Sequence, residues 1–103
     1  MTDEHVPFPE RWAMTLVLDA CRTERRRLRC EQGVYLVLAL EHEAEGEPEL
    51  GQRRRKESGD FGLAAAELRA AARWVELTWL AMDRAARAAK NLAQSPENAS
   101  QTP

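Results

Sequence analysis

Along the second half of the chain, Phe61, Ala64, Leu68, Ala71, Val75, Thr78, Met82, Ala85, Ala89 and Leu92 follow an unbroken alternation of three and four. Steps of that size return to one side of an α-helix, so the run reads as a heptad seam. The neighbouring column, Ala65, Ala72, Trp79, Ala86 and Ala93, is apolar too. A face this wide exceeds what a two-stranded coiled coil uses and suits a bundle, in which small alanines let helices approach closely. With Asp60 as N-cap, the pattern predicts a helix from Asp60 to Leu92, about 50 Å long.

The first half is less regular. From Glu10, the residues Trp12, Leu16, Val17, Ala20, Cys21 and Leu28 recur at helical spacing, but Glu24 and Glu31 interrupt the stripe. Val34 to Leu40 is apolar on every side, and periodicity alone cannot separate helix from strand there. A single return helix over 10–43 is the favoured reading. The alternative is an α+β chain with short strands at 14–18 and 34–40, which would need each other or an intermolecular edge as hydrogen-bond partners.

Punctuation supplies the boundaries. Pro7 and Pro9 flank Phe8, which marks residues 1–9 as an irregular lead-in. Alternating glutamates from Glu41 to Glu49, Gly46, Pro48, Gly51 and Gly59, and the basic run Arg53 to Lys56 predict a charged loop over 44–59. Residues 94–103 offer little to bury and are expected to be a disordered tail. The predicted architecture is a single helical domain over 10–93. It is an all-α hairpin of two long antiparallel helices that pairs with a second copy to form a four-helix bundle, because one return helix leaves part of the wide seam wet.

Composition fits this picture. A chain of 103 residues, 44% hydrophobic and 31% charged, is one ordinary domain, short enough that association is a natural way to complete its core. The net charge of −2 predicts no partner, since basic and acidic runs are segregated. Asp3 and Glu4 sit where a signal peptide would be apolar, and the longest apolar run is too short to span a bilayer, so a cytoplasmic, non-membrane setting is expected. Cys21 and Cys30 would lie about 13 Å apart along one helix, beyond disulfide reach, and read as small buried hydrophobes.

Candidate chemistry is sparse. His5 and His42 have no partnered serine or cysteine, Glu41, His42, Glu43 and Glu45 diverge around a helix, and no phosphate-loop motif occurs. No enzyme, metal or cofactor is expected. The density of large apolar side chains from Trp74 to Met82 exceeds what one seam needs. Trp74, Leu77, Trp79, Leu80 and Met82, with Tyr35, are therefore candidate protein-interface residues, unless Val34 to Leu40 covers them within the chain. These features point to a non-enzymatic interaction module: an adaptor, assembly factor or stoichiometric inhibitor of a larger complex, of the kind small phage or bacterial regulators provide. The alternative is a nucleic-acid-associated regulator. In that reading Arg22, Arg25, Arg26 and Arg29, one stripe at helical spacing, hold phosphates on a dimer.

Overall fold

The computed structural model describes residues 8–94 and shows an antiparallel hairpin of two helices, α1 (Arg11–Ala44) and α2 (Pro48–Ala93). The favoured helical reading holds over 14–18 and 34–40, and no strand occurs among the described residues. Of the tail expected at 94–103, Gln94 caps α2 and 95–103 lie outside the described residues, as does the start of the lead-in, 1–7; Phe8, Pro9 and Glu10 precede α1 without regular structure.

The turn is much tighter than the charged loop expected at 44–59. Only 45–47 separate the helices. The N–H of Glu47 donates to the His42 carbonyl at 2.8 Å and that of Gly46 to Glu43 at 3.2 Å, which closes α1 as a Schellman motif. Gly46 holds φ +78°, the left-handed conformation this motif requires. Pro48 then opens α2, where its missing N–H costs nothing.

Residues 48–59 are helical, and neither of their glycines forms a turn: Gly51 is contact surface, while Gly59 lies on the exposed side of the helix. A Cβ on Gly51 would stand 2.6 Å from Glu43 Cγ and 3.1 Å from the Ala39 carbonyl oxygen, so the backbone of α2 lies directly on α1 there. Gly62 repeats the device against the Gln32 side chain. Between them the buried Ser58 hydroxyl donates to the Gln32 carbonyl at 2.8 Å, and Arg55 grips Glu43 with two hydrogen bonds, at 2.6 and 2.7 Å. Within the basic run, Arg55 thus fastens the hairpin and Arg54 lies over the Tyr35 ring of α1, while Arg53 and Lys56 are exposed.

The helices meet along Met14, Leu18, Cys21, Arg25, Leu28, Gln32, Tyr35, Ala39 and His42 of α1, the less exposed positions of that helix, at regular heptad spacing. On α2 the corresponding positions are Gly51, Arg54, Ser58, Phe61, Ala65, Leu68, Ala72, Glu76, Trp79 and Asp83. Two consecutive steps of four, Leu68 to Ala72 to Glu76, shift the contact face of α2 by one position. The column facing α1 is therefore Ala65, Ala72 and Trp79. Val75 and Met82 of the expected seam are turned outward.

With 46 residues against 34, α2 outruns α1 by about 18 Å. Arg11 stands level with Asp83, at 3.9 Å, so among the described residues no helix lies alongside α2 beyond Asp83. No helix among the described residues is long and apolar enough to cross a membrane.

Candidate functional site

Two faces of the hairpin stand out, one apolar and one basic. The contact between the helices buries little: among the described residues, only Met14, Ala39, Ala65 and Trp79 form a buried apolar core, while fourteen large hydrophobic side chains are exposed. Of the candidate interface residues, Trp79 and Tyr35 are spent inside the chain. Trp79 is 8% exposed. Its Nε1–H donates to the Pro9 carbonyl at 3.0 Å, Phe8 stacks on its ring at 5.6 Å, and the Arg11 guanidinium lies over it. Tyr35 packs on Phe61 at 5.2 Å, with Arg54 over its ring. Leu80 is half-buried beside Met14.

Trp74, Leu77 and Met82 are different, at 69%, 49% and 54% exposed. Val34 to Leu40 cannot cover them, because the antiparallel arrangement places that run at the turn end, where Val34, Leu36, Val37 and Leu40 are themselves exposed. Ala71, Trp74, Val75, Thr78, Ala81, Met82 and Ala85 occupy three adjacent columns of α2 without a charge among them. The charges of this stretch, Arg69, Arg73, Glu76, Asp83, Arg84 and Arg87, occupy the other columns. Beside the apolar columns α1 contributes Ala13, Val17 and Ala20, its only residues on that flank before Glu24. Leu77 lies outside the three columns, toward the outer edge of α2.

The opposite flank is basic. Arg22 and Arg25 of α1 meet Arg69 and Arg73 of α2 in an open cleft of about 300 Å³ over Leu68 and Ala72. Arg22 pairs with Asp19 and Arg73 with Glu76, each at 2.7 Å, and Arg29 donates to Gln32 at 2.9 Å. Arg26 continues the row. Arg27 departs from it and binds Glu24, whose carboxyl is held below its ordinary range by that hydrogen bond, while the guanidinium pKa is raised in turn.

At the tip, ligand atoms of His42, Glu45 and Glu47 lie within 4.8 Å of one another, and His42 Nδ1 is 3.5 Å from Glu47. These three could each offer a metal one ligand, but both carboxylates are largely solvated. Arg55 holds the Glu43 carboxyl below its ordinary range, through the hydrogen bonds first and charge second. Neither cysteine is in a disulfide. Cys21 is half-buried in the seam, as a small hydrophobe would be, whereas Cys30 is exposed, against expectation.

No family model, curated protein or solved structure matches this chain.

The sequence reading located the arginine stripe of α1 but missed its partners, Arg69 and Arg73. On α2 alone they look like ordinary solvated cations, and only the hairpin's register brings them opposite Arg22 and Arg25. A signal was present: Arg69 and Arg73 stand four apart on the flank away from the apolar columns.

Proposed function

We propose that this chain is a non-enzymatic interaction module that works as a homodimer, of the adaptor, assembly-factor or stoichiometric-inhibitor type, in a cytoplasmic setting where its thiols stay reduced. One observation carries this reading: among the described residues four apolar side chains are buried and fourteen large ones are exposed. A small domain with so thin a core draws its stability from elsewhere, and with no disulfide available, association is the remaining source.

The second copy fits the apolar face on two grounds. The first is area. From Ala71 to Ala89 the face is about 28 Å long and, as far as Asp83, two helices wide, about 20 Å across. That footprint, at most about 560 Å², approaches the lower end of specific interfaces, about 600 Å² a side, and stands at the top of the range of apolar patch a monomer ordinarily exposes. The second is symmetry. About Thr78, Trp74 and Met82 lie four positions to either side and Ala71 and Ala85 seven. An antiparallel α2 pair with its two-fold axis at Thr78 thus sets Trp74 beside Met82 and Ala71 beside Ala85, with Val75 beside the smaller Ala81, a match of the kind an isologous interface needs. The stretch of α2 beyond Asp83 then lies along the partner. A bundle of this kind leaves Val34, Val37 and Leu40 exposed at its two ends, which supports a further protein partner for the dimer.

Cross-linking tests the arrangement. In a Cys21→Ser, Cys30→Ser background, Thr78→Cys is expected to form an intermolecular disulfide under mild oxidation, since its Cβ atoms face each other near the axis. Ala66→Cys, away from the apolar columns, is expected to stay monomeric in the same conditions. Equal cross-linking of both, or of neither, counts against the proposed dimer.

A further inference from the structure

The basic cleft lies on the flank opposite Val75 and Met82, so the dimer leaves it open, and it poses a separate question. Guanidinium groups from two helices converge there. Arg22 and Arg25 face Arg69 and Arg73 across Leu68 and Ala72, and Arg26 and Arg29 carry the row along α1. From Arg22 to Arg29 the row covers about 10 Å of helix.

Convergent like charges repel, and partial neutralisation here is loose. Arg22 is paired with the exposed Asp19, and Arg73 with Glu76, a half-buried carboxylate at the wall of the same cleft; pairs between residues three apart on one helix are weak and exchange with a competing anion. Arg25, Arg26 and Arg69 have no ion pair or hydrogen bond among the described residues. Every cation of the set is an arginine. The planar forked guanidinium matches two oxygens of one phosphate, which a lysine ammonium cannot do.

We infer that this cleft and its extension along α1 form a phosphate site that holds the backbone of a nucleic-acid strand. A single free phosphate would occupy the cleft and leave Arg26 and Arg29 unused. A strand with its bases stacked as in a helix presents a phosphate every ~3.4 Å of axial rise, so a row of about 10 Å spans about three of them. Contacts of this type are made to the backbone and carry no sequence preference.

The test is fluorescence anisotropy of a labelled single-stranded DNA oligonucleotide with the full chain, from about 50 to about 200 mM salt. The expected log–log salt slope is about −2, the value for three phosphates on a single strand. Replacing the exposed Arg26 and Arg69 together by alanine is expected to weaken binding at least about tenfold and to flatten the slope toward about −1. Circular dichroism should report unchanged helicity for that variant. Arg84→Ala, outside the cleft, is expected to bind as the wild type does. The inference is overturned by an absence of binding at the lowest salt, or by equal losses in the Arg84 and Arg26/Arg69 variants. It is equally overturned if tripolyphosphate or polyglutamate binds where the oligonucleotide does not. Val75→Glu should bind with the same slope per chain, so a failed dimer and a failed phosphate site give different results.

Discussion

Single residues explain why this chain makes so tight a turn, and glycines show it best because they do opposite things at different positions. Gly46 sits at positive φ, so Gly46→Ala is expected to cost about 1 kcal/mol in stability. Gly51→Ala drives a Cβ into Glu43 Cγ and the Ala39 carbonyl. It is expected to cost about 1 to 3 kcal/mol, because backbone cannot move aside as a side chain can. A Cβ at Gly59 meets nothing within 4 Å, so Gly59→Ala should stabilise by about 0.5 to 1 kcal/mol through helix propensity. Urea denaturation of the three variants checks both the signs and the order. The Arg55–Glu43 pair adds a pH dependence. Glu43 has a folded pKa below its unfolded value, so its contribution is whole at neutral pH and is lost as pH falls through the folded value. Glu43→Gln is expected to remove that acid-side loss, which denaturation across mildly acidic pH would show as a flatter profile.

At the scale of the helix, the fold was legible and the seam was not. Two long helices in an antiparallel hairpin follow from heptad spacing, which records periodicity whichever face is buried. Ranking faces by hydrophobicity then misleads, because the contact between α1 and α2 runs through Arg25, Gln32, His42, Arg54, Ser58, Glu76 and Asp83 as well as through apolar residues. Gly51, Gly62 and Ser58 serve that contact by being small, a role that reads in sequence as turn chemistry. Long polar side chains can line such a seam by laying their stems along it and keeping their charges near water. The most apolar columns were thereby left for the outer surface. Trp74 and Trp79 separate the two roles. Trp79→Ala removes the ring that Phe8, Pro9 and Arg11 cover, and is expected to cost about 3 kcal/mol of stability. Trp74→Ala is expected to leave the hairpin's helicity unchanged and to weaken association about thirtyfold, the worth of an aromatic anchor of about 2 kcal/mol. Circular dichroism melts at concentrations below and above dissociation distinguish these outcomes.

The whole molecule is one layer of two helices, with extents of 89 × 34 × 16 Å. A slab that thin has no interior beyond the line where its helices touch, which is why so few side chains are buried and why large apolar residues crowd its surface. Its two flanks differ in chemistry, apolar on one side and arginine-rich on the other, so a second copy and a polyanion do not compete for the same surface. The central claim is that the apolar flank is completed by another copy of the chain. Sedimentation equilibrium of the wild type beside Val75→Glu with Met82→Glu tests it most directly. The expected result is a mass of twice 11.7 kDa for the wild type and a shift toward the single-chain mass for the variant, whose charges face the proposed two-fold. A wild-type mass of 11.7 kDa at all concentrations up to about 1 mM, where even weak homodimers associate, would contradict it.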